Sequence, residues 1–225
     1  MRKSYVLQDS GPVSGSNAVF VHLCVMIKYV VLILTVFCRS ILFAQLPYPD
    51  SIALFRKQYK EDFIKEERSP LKGNDTAFLR FFPVNKAFAL TAQLELTPKS
   101  PVFQMQTHNG KVQQYRQYGI ASFVLKGRKY ALHLYQNLSL LQQEKHKSHL
   151  FLPFNDLTNY ESTYAGGRYI DLNTEDIHKG TIRIDFNKCY NPYCAFREGY
   201  SCPVPPVENR LQVRIEAGEK LFGKK

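Results

Sequence analysis

The stretch AFALTAQLEL at residues 87–96 decides the fold. Phe88, Leu90, Ala92, Leu94 and Leu96 share one face, while Thr91, Gln93 and Glu95 take the other. A period of two is the pattern of a strand with one face against a core. Residues 102–107 and 112–118 flank His108-Asn109-Gly110-Lys111, and Asn-Gly is the strongest short hairpin signal. Residues 120–125 and 130–135 flank a second turn, Lys126-Gly127-Arg128. A further strand pair is expected at 181–186 and 211–215. The spacing predicts a mainly β chain of the β-rich α+β class, an antiparallel meander forming a barrel or a sandwich.

Upstream of these strands, Ile52, Phe55, Tyr59 and Phe63 lie at i, i+3, i+7 and i+11, one apolar stripe of a helix. The helix is expected to open at Pro49-Asp50-Ser51 and run to about Glu67, before Ser69-Pro70. Its expected role is to cover an opening or edge of the sheet. Residues 138–149 are polar and read as a loop or a helical turn. Residues 150–210 read mostly as long ordered loops over one end of the sheet, and such loops are often functional.

The composition supports one folded domain. The chain has 225 residues, and its 44% hydrophobic content excludes a disordered polymer. With 16 Phe, 14 Tyr and no Trp, the aromatic content favours strands. Neither a repeat nor a low-complexity linker divides it.

The first 44 residues differ from the rest. Lys28 precedes an apolar run over 29–38, and Ala44 closes the segment, the pattern of a secretory leader. Met26 is the expected start, with cleavage after Ala44 and a single β-rich domain over 45–225. Export to the periplasm or outside the cell follows, with an uncleaved membrane anchor as the alternative. Arg39 interrupts the run well short of the ~20 apolar residues that an anchor needs. Removing residues 1–44, with four cations and one acid, lowers the formal charge from +11 to +8. The remaining charges are spread along the chain, and the densest group is Lys145-His146-Lys147 with His149. No nucleic-acid signature accompanies them, so a solvated basic surface is expected rather than a nucleic-acid partner.

The last third concentrates polar groups. Its stretches are Phe154-x-Asp156-x-Thr158, Thr163-Tyr164-x-Gly166-Gly167-Arg168-Tyr169, Asp185-Phe186-Asn187 through Cys194, Cys202-Pro203-x-Pro205-Pro206-x-Glu208-Asn209, and Ala217-Gly218-Glu219-Lys220. Together they closely resemble the bacterial domain of unknown function 1684 family, from about Phe55 to Lys220. The resemblance implies no activity, and members of the family include exported and cytoplasmic proteins. Cys189 departs from the pattern, which usually has Ala there.

The same residues can be read physically. Asp156, Glu161 and Asp185 sit beside aromatic sequence, where a carboxylate must be paired or become neutral. Arg168 either binds Asp156 or Asp185 bidentately and locks the loops, or holds an anionic ligand beside a carboxylate base. Cys194 and Cys202, eight apart, are the expected disulfide of an exported protein. The competing readings are a zinc set of Cys189, Cys194, Cys202 and His178, or Cys194 as a nucleophile with a histidine base. His133, His146, His149 and His178 are the histidines available. Hydrolase elbows, phosphate loops, zinc helices and dinucleotide fingerprints are absent.

The expected function is therefore an exported β domain binding a small polar or anionic ligand through Arg168, Tyr164, Tyr169, Asn187, Asn191, Tyr193 and Glu208. No cofactor and no metal are expected. The alternatives are a hydrolase using Asp156, Glu161 or Asp185, with or without Cys194, and an envelope protein without a ligand.

Overall fold

Seven antiparallel strands form one curled half-barrel sheet in the computed structural model, which describes residues 46–224 together with Met26, Lys28 and Tyr29. The expected leader and its cleavage after Ala44 lie outside the described residues. All the elements below lie in one compact unit, Pro47–Lys225.

Helix α1, Tyr48–Lys65, follows Pro47 at its N-cap and carries Pro49 in its first turn, where no N–H is missed. Ile52 and Phe63 of its apolar stripe are buried, and Phe55 and Tyr59 half-buried. The strands are β1 (Ala89–Leu96), β2 (Val102–Gln106), β3 (Val112–Leu125), β4 (Arg128–Asn137), β5 (His149–Phe154), β6 (Arg168–Asn173) and β7 (Thr181–Asp185). Their order is β6-β5-β4-β3-β1-β7, with β2 paired to the first half of β3. The segments 112–118 and 120–125 are thus one strand, bulged between Gln117 and Gly119. Lys126 (φ 50°) and Gly127 (φ 75°) make the tight β3–β4 turn, with Leu125 facing Arg128.

Two expectations are corrected. Residues 149–154 and 168–173 are strands, not loops. Their alternation is masked because β5 is buried on both faces. Leu150, Leu152 and Phe154 join the main core, while Phe151 packs with Met105, Tyr115, Tyr135 and Tyr169 on the opposite face. Conversely, 211–215 alternates without being a strand. Leu211, Val213 and Ile215 are buried, but the backbone is held by loop and side-chain partners. Leu211 N donates to Asn155 O at 2.8 Å, and Ile215 N to the Asp156 carboxylate at 3.1 Å. Residues 138–149 contain two 3-10 turns, Leu140–Gln142 and Glu144–His146.

Pro153 interrupts the β4–β5 ladder, which is reduced to Tyr135 opposite Phe151. Asn209, fully buried, closes the gap. Its Oδ1 accepts from His133 N at 2.7 Å, and its Nδ2 donates to His133 O at 2.9 Å and Pro153 O at 2.7 Å. One side chain thereby replaces the missing strand pairing. Asn209→Ala leaves these backbone groups unsatisfied and costs at least about 2 kcal/mol in urea unfolding. A loss below about 0.5 kcal/mol would mean that the stitch is not needed.

Candidate functional site

Arg168 begins β6 on its core side and is completely buried. Its Nη2 donates to Asp156 Oδ2 at 2.7 Å and Ile215 O at 2.8 Å, and its Nη1 to Ala217 O at 2.6 Å and Glu219 O at 3.1 Å. The pair with Asp156 is single-pronged rather than bidentate, because the second nitrogen holds the C-terminal segment. Asp156 Oδ1 accepts from Thr158 N, Thr158 Oγ1 and Ile215 N. With both side chains at 0% exposure, the pair presents no face to a ligand. It fastens residues 215–219, whose Ile215 and Ala217 belong to the main core.

The remaining motif residues complete this clamp. Gly167 (φ 91°) lies where an added Cβ would stand 2.7 Å from Phe154 O. Gly218 (φ 73°) leaves room for Cys189 Sγ and Phe186 O, which a Cβ would meet at 2.3 and 2.6 Å. Cys189 is a buried thiol donating to Ala217 O, and burial pushes its pKa up to about 11. Asn187 donates to Tyr48 Oη, Asn85 O and Asp185 Oδ1 and accepts from Asn85 N. Asp185 accepts from the Tyr48 hydroxyl at 2.9 Å and from Asn187 N at 3.1 Å, so it anchors the start of α1. Asn191 N donates to Glu219 Oε2 and Asn191 Nδ2 to Lys220 O.

The other expected site residues are dispersed. Glu161 is exposed and pairs with Arg214 at 2.7 Å. Tyr164 packs edge-on against His108, and Glu208 accepts from the Tyr135 hydroxyl at 2.9 Å. Cys194 and Cys202 are joined in a disulfide, which leaves Cys194 no thiol for nucleophilic attack and disassembles the zinc set with Cys189 and His178. Among the described residues, no cluster of three His, Cys, Asp or Glu side chains could hold a metal.

A cleft of about 720 Å³ lies elsewhere, on the face of β3–β6 opposite the main core, beneath the chain around the disulfide. Tyr115, Phe151, Tyr169 and Tyr190 line it, with Tyr193, Tyr200 and Pro203 opposite. Of the expected ligand-binding residues only Tyr169 and Tyr193 belong to it, beside Cys202 of the disulfide and the candidate histidine His149. The Tyr169 hydroxyl donates to Pro203 O, and the Tyr190 hydroxyl to Asp171 Oδ2 at 2.6 Å. His149 Nε2 donates to the other Asp171 oxygen at 2.8 Å. Gln113 accepts from Asn137 at 2.9 Å and donates to Ser201 O at 3.0 Å, fixing a polar end. Asn137 is itself buried.

Burial, reinforced by the Asp171 charge, holds the Tyr190 hydroxyl far above the ordinary tyrosine range, and burial lifts Tyr115 to about 12. These tyrosines are neutral hydrogen-bond donors with apolar faces, not bases. The site lacks an unpaired catalytic carboxylate; what it offers is aromatic surface, amides and one anion, Asp171. Asp171 and Tyr190 escape a linear reading because they lie on separate segments joined by a single bridge, Tyr169 to Tyr190. The one usable signal is the acid in Tyr169-Ile170-Asp171-Leu172, an apolar run with no other charge.

The fold and cleft define a β half-barrel protein with a tyrosine-walled cavity and a buried Arg–Asp clamp. The chain belongs to the family described as protein of unknown function (DUF1684), whose model matches residues 76–220. The match covers the sheet and clamp and begins after α1. The solution NMR structure of an uncharacterized protein from Haloarcula marismortui is similar, with 27% identity and a TM-score of 0.61. That similarity covers 76% of this chain and 92% of the other. No curated protein matches the sequence.

Proposed function

We propose that the protein binds a small polar molecule with an apolar face in the cleft over Tyr115, Phe151, Tyr169 and Tyr190. The observation that carries this reading is the cavity itself. Its volume of about 720 Å³ falls within the usual range for ligand sites, and its walls are aromatic with a few convergent polar groups. An anionic ligand is disfavoured, because Arg168 is committed to the clamp and the lining contains Asp171 but neither Lys nor Arg. The leader-like N-terminus and the Cys194–Cys202 disulfide support placing this binding domain in an oxidising, exported compartment.

A thermal-shift screen of the full chain against a metabolite library tests the proposal. Ligands of the cleft raise the midpoint of the wild type and of Glu161→Gln, by an amount growing with ligand concentration. The shift is lost in Asp171→Asn and Tyr193→Ala. A library without a single stabilising compound, or shifts that survive both cleft variants, would leave the structural envelope reading in its place.

A further inference from the structure

Next to the cleft, where α1 passes Tyr190 and Tyr193, lies a second chamber of about 440 Å³. The two cavities share Asp171, Tyr190 and Tyr193 in their linings. The aromatic wall of the chamber is continuous. Tyr59 lies 6.0 Å from Tyr190 and 5.0 Å from Phe63, and Phe63 lies 5.7 Å from Tyr193, between ring centroids. Phe55 extends the wall, stacked 6.5 Å from Tyr59.

The charged lining is of one sign. Asp62, Glu66 and Asp171 border the chamber, and neither Lys nor Arg does, in a chain whose formal charge is +11. The lysines of α1 that form ion pairs, Lys57 and Lys65, both engage Glu61 outside the chamber. Asp62 receives a hydrogen bond from Gln58 at 2.7 Å, and Glu66 one from Arg68 N at 3.2 Å. Among the described residues neither acid is paired with a cation.

The rings pack edge-to-face on Phe81, Phe196, Tyr169, Tyr200 and one another, and among the described residues no cation is one of their partners. The Tyr59 and Tyr190 hydroxyls donate to Glu219 and Asp171, which ties them at their edges. Lys188 stands over Phe55 at 5.4 Å and lines, with Arg183, a third cleft that shares Phe55, Asp171 and Tyr190 with the chamber. Among the described residues no cationic side chain lies over Tyr59, Phe63, Tyr190 or Tyr193. Asp62 and Glu66 line the chamber with Tyr193, whose pKa is raised by burial first and then by Glu66, Tyr200 and Asp62.

An aromatic wall attracts a cation through the negative faces of its rings, and most strongly when the cation is weakly hydrated. Nearby carboxylates add long-range attraction. We propose that this chamber binds the methylated ammonium head of an organic cation, whose remainder lies along the adjoining cleft. The proposal rests on the binding reading above and names the ligand class that the pair of cavities selects.

Calorimetric titration of the full chain with choline chloride, against sodium chloride of equal ionic strength, tests the proposal. The probe for charge is 3,3-dimethyl-1-butanol, the neutral isostere of choline. The expected result is choline binding at least about tenfold tighter than the alcohol. Asp62→Asn combined with Glu66→Gln weakens choline several-fold at an unchanged melting temperature, and Tyr193→Ala weakens it further. Equal affinity for choline and the alcohol overturns the cation assignment, as does choline binding unaffected by the acidic substitutions. If choline fails while neutral metabolites stabilise the protein through Asp171, this inference falls and the binding function stands. If the library yields no ligand at all, both fall.

Discussion

Arg168→Ala destabilises the protein by about 3–5 kcal/mol in urea unfolding, the cost of leaving a buried charge without its partner. Asp156 would remain inside with only Thr158 and Ile215 N to satisfy it. Three carbonyls, of Ile215, Ala217 and Glu219, would lose their donor. The segment they belong to supplies Ile215 and Ala217 to the main core, so its release exposes apolar surface as well. Arg168→Lys does not rescue, because one ammonium cannot span acceptors that the planar fork reaches on two nitrogens. If Arg168→Ala folds, Asp156→Asn combined with it costs less than the two separate losses summed, since the members of a clamp couple. Strictly additive losses would contradict a clamp.

The second large effect depends on pH. Glu219 is fully buried, and burial raises its pKa to about 7, against 4.5 for an ordinary glutamate. Hydrogen bonds from Asn191 N and the Tyr59 hydroxyl, and the charge of Arg168, pull the other way without cancelling the effect of burial. The folded protein therefore keeps this proton to about pH 7, whereas the unfolded chain releases it near 4.5. Stability from Glu219 is fully present below pH 4.5 and is lost as pH rises through 7, by about 3 kcal/mol over that window. His133, whose pKa is lowered mainly by burial, acts oppositely, favouring the fold as pH rises through the usual histidine range. The informative quantity is thus the difference between wild type and Glu219→Gln, which mimics the neutral acid. Glu219→Gln is expected to match the wild type at pH 4.5 and to exceed it by about 3 kcal/mol at pH 8. A difference independent of pH would place the ordinary glutamate pKa in the folded state.

What could be read from the sequence follows which faces of each element are buried. Residues 87–96 and the 119–134 part of the hairpin have one face on the core and the other mostly toward solvent, so their alternation survives in the residue pattern. Strand β5 is covered on both sides and carries Pro153, so neither period nor propensity marks it. Residues 211–215 show the converse, because alternating burial needs only an extended chain. Their partners are the backbone of Asn155 and Leu157 at Leu211 and Val213, and the side chains of Asp156 and Arg168 at Ile215, which sequence alone does not distinguish from another strand.

The functional reading divides in the same way. The polar stretches around Asp156, Arg168, Asn209 and Glu219 are recognisable because polar residues among aromatic ones need partners. Their partners prove to be one another and the backbone, which makes the family pattern a record of how the half-barrel is held closed. The cleft is built from residues that look ordinary in sequence. Tyr115, Phe151 and Asp171 are the outward-facing positions of strands whose inward neighbours form the core. Only their register brings them together, Tyr135 opposite Phe151 and Phe151 opposite Asp171.

The most direct test of this division is the thermal shift of Asp156→Asn and Asp171→Asn, each measured with and without a stabilising compound from the library. The clamp substitution is expected to lower the unliganded melting temperature by about 6 °C or more while keeping the ligand-induced rise. The cleft substitution is expected to leave the unliganded value within about 2 °C, as for a surface change, and to abolish the rise. The reverse outcome, with Asp156→Asn stable but blind to ligand and Asp171→Asn unstable but responsive, would contradict it.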